Sequence, residues 1–202
     1  MSLDLLDRCE AGQAASSHPG AAGITPQPIG LGACPTLQTA RLVLRPHQAG
    51  DAEAIAASLS DYAVARMLAR VPLPFHVADA RDWLATLPRQ RGWALAVTRE
   101  ATHVGCVHLE LRHGRYHLGY WLNRAVWGQG IGGEAVAAAL AAFRIALPEA
   151  VVHSGVFADN PASLALQARL GFAVTGCADV YSRARGRMVT HLETRLDPAA
   201  CA

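Results

Sequence analysis

The sequence predicts a single mixed α/β domain built on a largely antiparallel sheet. Three observations predict it. In residues 104–111, Val107, Leu109 and Leu111 alternate with His108, Glu110 and Arg112, as a half-buried strand requires. His113-Gly114 then offers a two-residue turn into a second strand over 116–122, an antiparallel hairpin in which Glu110 faces His117. Val136, Leu140, Phe143 and Leu147 recur at helical spacing and mark one buried face of a helix over 133–146. A chain of 202 residues buries roughly 70% of its extended surface on folding, enough for a real core. At 51% hydrophobic and 17% charged it is too apolar for disorder, and no apolar run is long enough to span a membrane.

The elements follow in order. Residues 1–36, rich in Ala, Gly, Pro and Ser beyond residue 11, read as a flexible extension, with the domain over 37–198 and a tail at 199–202. Residues 39–46 form a first strand stopped by Pro46. Asp51 opens a helix carrying Ala54, Ile55 and Leu59, and helices over 61–68 and 78–87 are separated by Pro72 and Pro74. A strand over 93–98 precedes the hairpin. A strand over 151–157, a helix over 161–169 and strands over 173–181 and 188–196 complete the chain. Asn160-Pro161 is a strong helix start and Gly171-Phe172 a left-handed stop, so the last helix is bounded on both sides.

Charge and composition exclude several functions. All 18 basic residues are Arg, which removes P-loop, Schiff-base and kinase-type lysine chemistry. A net charge of +2 gives no reason to expect a nucleic-acid partner. Five widely spaced cysteines without Cys-x-x-Cys argue for idle thiols in a reducing compartment, and the acidic N-terminus does not read as a secretory signal, so cytoplasm is expected. His103, His108, His113, His117 and His153 offer ligand types without a metal-binding spacing, and no metal is expected.

The stretch from Tyr120 to Glu134 carries the chemistry. A strand enters a glycine-dense loop that opens a helix, where unpaired N–H groups and the helix dipole attract a phosphate. Gly128-x-Gly130-x-x-Gly133 also fits a dinucleotide string. That reading expects the strand to end at the first glycine within an early βαβ unit, whereas five residues and Trp127 intervene here.

Gln129-Gly130-Ile131-Gly132, set within Trp127-Gly128 to Glu134-Ala135, resembles the acetyl-CoA pyrophosphate loop of GNAT N-acetyltransferases, with Trp127 at the loop's usual Arg/Gln position. Tyr120-Trp121-Leu122 before the loop is similar to the RimJ/RimL subgroup. The resemblance extends from Thr39-Ala40-Arg41-Leu42-Val43-Leu44-Arg45-Pro46 to Asp159-Asn160-Pro161-Ala162-Ser163 and Leu170-Gly171-Phe172, covering about 37–197. It implies a twisted, largely antiparallel GNAT-like sheet with helices on both faces. It also implies direct transfer of an acetyl group from acetyl-CoA to an amine, either a protein N-terminal α-amine or a small-molecule amine.

On that resemblance, the backbone of Tyr120, Trp121, Leu122 and Asn123 binds the pantetheine arm, and an N–H near Tyr120 polarises the thioester carbonyl. Gln129, Gly130, Ile131, Gly132 and Gly133 hold the diphosphate. Asn160 and Ser163 complete the cofactor side, with Ser163 as partner of the departing thiolate. Many members carry a tyrosine where this chain has Gln167, so a phenolic acid is missing there. His117, with Glu110 as its orienting carboxylate, is the candidate base for the amine. Arg183, Arg185 and Arg187 crowd the last turn, which either is solvated or holds an acidic acceptor. Alternatives are a catalytically silent CoA-sensing module and a dinucleotide-binding protein. Homodimers are a common assembly but leave no sequence signature here.

Overall fold

The computed structural model describes residues 31–87 and 91–198. The chain runs β1 (Leu37–Gln38), β2 (Val43–Pro46), α1 (Ala52–Leu59), α2 (Tyr62–Ala65), α3 (Val77–Thr86), β3 (Gly92–Arg99), β4 (Thr102–Arg112) and β5 (Arg115–Leu122). It continues with α4 (Ile131–Ala146), β6 (Val152–Phe157), α5 (Pro161–Arg169), β7 (Ala173–Ser182) and β8 (Arg187–Leu196). The strands form one sheet in the order β1-β2-β3-β4-β5-β6-β8-β7. Every pairing is antiparallel except β5 with β6.

Residues 61–68 make a shorter helix than their apolar content predicts. Asp61 caps it by accepting from the Ala63 N–H, and α2 ends at Ala65 in overlapping turns. Leu37–Gln38 adds a short edge strand before the first predicted one. Ordered packing also begins before residue 37. Leu31 and Cys34 lie against the core, and the Trp93 indole donates to the Gly32 carbonyl at 3.1 Å, whereas residues 1–30 and 199–202 lie outside the described residues. Cys34 and Cys106 are free, as idle thiols should be, but Cys177 is disulfide-bonded.

The hairpin register is the one that a two-residue turn dictates: Glu110 pairs with His117 and Val107 with Tyr120. His113 and Gly114 both take left-handed φ, 48° and 76°, as a turn matched to strand twist requires. Two cores result. On one face Val136, Leu140 and Phe143 of α4 pack with Leu109, Leu118 and Val152. On the other, Ile55 and Leu59 of α1 and Ala80 of α3 pack with Cys106 and Trp121. Helices therefore cover both faces.

The functional geometry begins where β5 and β6 meet. Their parallel pairing consists of Tyr116 with Val152 and His117 with His153, and stops there. Beyond it the strands diverge and open a gap in the middle of the sheet.

Candidate active site

The gap exposes backbone on its β5 side. The Asn123 N–H donates to the Val104 carbonyl at 2.8 Å, so the alternation of an antiparallel ladder turns Asn123, Trp121 and Gly119 toward β4. The peptide groups of Leu118, Tyr120 and Leu122 consequently face β6. Ser154 Oγ donates to the Leu118 carbonyl at 3.0 Å and the Trp127 indole to the Leu122 carbonyl at 2.9 Å. The Tyr120 peptide lies between them, facing the opening. Trp121 and Asn123 differ from the sequence expectation here. The Trp121 indole is buried beneath α1 and α3, and the Asn123 side chain caps the turn at 124–126 and donates to Ser58 Oγ.

The glycine loop continues from β5. Gly128 and Gly130 take φ of 72° and 75°, values that side-chain-bearing residues rarely adopt. Gly130 caps α4 without any side-chain acceptor, which leaves the N–H groups of the first helical turn open to a ligand. Arg41 is a positioning residue that the motif alone does not reveal. It donates to the Gln129 carbonyl at 2.9 Å and pairs with Glu134 at 2.6 Å, while Arg99 holds the Gln129 side chain at 2.9 Å. Ile131 is fully buried and anchors the loop in the core. A β-carbon on Gly133 would meet nothing within 4 Å, whereas one on Gly132 would press on Leu166 at 3.1 Å and Leu122 at 3.3 Å.

Helix α5 closes the other side of the gap. Asn160 Oδ1 accepts from the Ser163 N–H at 3.1 Å, so the cap fixes Ser163 in the first turn. The Ser163 hydroxyl lies 2.6 Å from the Tyr120 phenol. Gln167 is buried at 1% exposure, with Oε1 accepting from Thr194 Oγ1 at 2.6 Å and Nε2 donating to Ser154 Oγ at 3.0 Å. The phenol missing from position 167 is thus present in the site, delivered by β5.

The opposite face of the gap is lined by histidines. His117 stacks on His153, with centroids 5.7 Å apart. Burial lowers the His117 pKa to about 4, helped by Arg112 and by His153. Its predicted partner is engaged elsewhere: Glu110 forms an ion pair with Arg112 at 2.6 Å and accepts from Arg70 at 3.4 Å, and His108 lies 3.8 Å from it. His108 lies over Gly119, where a β-carbon would come within 2.3 Å of the ring. His191 lies in the same way over Gly155, at 2.1 Å, so two imidazoles flank the gap. The His108 signal was readable, because the hairpin register pairs His108 with Gly119.

Of the histidines considered for a metal, His103 comes together with His47 and Asp51, their ligand atoms within 4.8 Å. Both Asp51 oxygens already accept from Arg45, at 2.7 and 2.9 Å, and Oδ2 also accepts from the Gln48 N–H at 2.8 Å. The carboxylate is therefore saturated beside a guanidinium, a poor place for a cation. Arg185 also has a structural position. It forks onto Asp159 at 2.7 and 3.0 Å, donates to the Arg66 carbonyl at 2.7 Å and lies 4.8 Å above the Phe157 ring. The Arg183 N–H donates to the Ala69 carbonyl at 3.0 Å, so the β7–β8 turn docks on the segment after α2.

The glycine loop, the open edge of β5, the first turn of α5 and the flanking histidines line one cleft of about 1880 Å³, larger than the roughly 300–1,000 Å³ of a pocket for one small ligand and consistent with two substrates meeting in the gap. Among the described residues, no helix is long and apolar enough to cross a membrane. Residues 41–173 match the acetyltransferase (GNAT) domain family. An uncharacterized N-acetyltransferase, p20, of Bacillus licheniformis is 28% identical over 163 residues, covering 76% of this chain and 91% of that protein. Mycobacterium smegmatis RimJ in complex with CoA-disulfide superposes with a TM-score of 0.68 at 20% identity, covering 77% of this chain and 81% of that one. A ribosomal-protein-S5-alanine acetyltransferase from Vibrio fischeri gives 0.70 at 20% identity, covering 83% and 98%. With the open helix start and the split sheet, these findings make the chain a member of the GNAT acetyltransferase family, an N-acetyltransferase that uses acetyl-CoA.

Proposed function

We propose that the protein is a RimJ/RimL-like enzyme that transfers the acetyl group directly to a primary amine, either a protein N-terminal α-amine or the amine of a small molecule. The observation that carries this reading is the gap between β5 and β6, with the Tyr120 peptide on one side and the Ser163 hydroxyl on the other. The diphosphate rests on N–H groups of Gln129 to Gly133, and the arm lies along Tyr120 to Leu122. The Tyr120 N–H points at the thioester carbonyl oxygen, where negative charge develops as the amine attacks. Ser163 faces the sulfur and supplies its hydrogen bond or proton as the C–S bond breaks.

The amine must arrive neutral. His117 takes its proton directly or through water, and burial keeps that imidazole unprotonated at neutral pH. Glu110, drawn to Arg112, contributes charge rather than a hydrogen bond to His117. The position of His108 over Gly119 favours it as a second base for the same step.

Thermal shifts with acetyl-CoA, CoA and NAD, followed by thiol release with a panel of amines and N-terminal peptides, test the reading. Stabilisation by both CoA ligands, with thiol released by one amine class, is the expected result; stabilisation by NAD alone sinks it. His117→Ala and His108→Ala, assayed with the best amine, assign the base. The true base loses about 10²-fold or more in kcat/KM.

A further inference from the structure

We propose that the Tyr120 phenol is the proton source behind Ser163. The proposal rests on the assignment of Ser163 to the departing thiolate.

The Tyr120 phenol lies 2.6 Å from Ser163 Oγ and 3.4 Å from the Ser163 carbonyl, which can only accept, so the phenol hydrogen is turned toward the serine. With that hydrogen held at Ser163 Oγ, the serine's own hydrogen is left to point into the cleft, toward the place where sulfur becomes negative. The Gln167 amide is engaged instead with Thr194 Oγ1 at 2.6 Å and Ser154 Oγ at 3.0 Å. Burial also raises the Tyr120 pKa, so the phenol keeps its proton through the neutral range.

The balance is complete. The amine nitrogen forms the new C–N bond and gives up a proton to the base. The C–S bond breaks and its electron pair stays on sulfur. Sulfur takes the Ser163 hydrogen, Ser163 takes the Tyr120 hydrogen, and the phenolate recovers a proton from water after the thiol leaves. The glutamine that stands where relatives carry a tyrosine is thus not a lost acid. The phenol reaches the site from a different strand, β5.

The experiment compares wild type, Tyr120→Phe, Ser163→Ala and the double variant. Thiol release is measured at saturating acetyl-CoA in H2O and D2O, and acetyl-CoA affinity separately by calorimetry. Tyr120→Phe is expected to lower kcat about 10- to 100-fold while acetyl-CoA affinity stays within about twofold. The double variant is expected to be no worse than Ser163→Ala, since the two groups act in series. The solvent isotope effect should shrink in Tyr120→Phe.

Full kcat in Tyr120→Phe, a loss confined to acetyl-CoA affinity, or losses that multiply in the double variant each overturn the relay while leaving acetyl transfer standing. A wild-type protein that binds acetyl-CoA yet releases no thiol with any amine overturns the transfer reading, and the relay with it.

Discussion

Gly133 is where stability and ligand binding make opposite demands. A side chain there meets no protein atom, and replacing a helical glycine removes about 1 kcal/mol of backbone penalty. The open space over it belongs to the cleft where the diphosphate would lie. Gly133→Leu is therefore expected to raise the melting temperature by 1–3 °C or so and to weaken acetyl-CoA at least about tenfold, read by thermal denaturation and calorimetry. Neighbouring Gly132, squeezed between Leu166 and Leu122, has no such freedom. At this scale the sequence reveals positions fixed by the chain itself, such as Ser163 through the Asn160 cap and Glu110 opposite His117 through the turn. It does not reveal where long side chains end. Arg112 draws Glu110 away from His117, and the Tyr120 phenol finds Ser163 because two strands part, an event that neither strand encodes alone.

The β7–β8 hairpin shows the same contrast for elements. Both strands are written in alternation, and the arginine-rich turn joining them reads as solvated or acceptor-binding. In the folded chain the Arg185 side chain is 3% exposed, clamped to Asp159 and to the carbonyl of Arg66. Its charge is spent on holding the turn against the segment after α2. Arg185→Ala is expected to cost about 2 kcal/mol, some 5 °C in melting temperature, and to impair the amine's KM more than that of acetyl-CoA. Unchanged stability would show that the clamp is ornamental. α2 is short for a related reason: the carbonyls of Arg66 and Ala69, which a continuing helix would bond internally, are taken by Arg185 and Arg183. No local pattern announces a donor more than a hundred residues away.

Across the whole molecule, buried histidines set the response to acid. His47, His108 and His117 are each lowered by burial to about 4, so between pH 6.5 and 4 the unfolded chain binds protons that the folded chain refuses. Stability is full above about pH 6.5 and falls as pH drops toward 4, by up to about 1.4 kcal/mol per pH unit each for His47 and His108 and by less for half-buried His117, which solvent screens. Asp51 acts in a lower window. Burial raises its pKa, but Arg45 and the Gln48 N–H outweigh that and bring it to about 2, so its contribution survives until pH passes below 4. Denaturant unfolding between pH 4 and 8 checks this, and His47→Phe should flatten the slope. The overall architecture was legible because hairpins and caps are local. The parting of β5 from β6 follows from the family resemblance and from no local pattern, since it arises from how two halves of the sheet settle against α4 and α5.

That parting has a mechanical consequence. With two residue pairs as its only ladder across the middle, the sheet is two plates, β1–β5 and β6–β8, that share a narrow spine. A carrier arm laid in the slot supplies the rungs the strands lack, so docking it stiffens the joint itself. Amide exchange at Leu118, Tyr120 and Leu122 should slow with the arm in place, while the outer hairpins keep their pace.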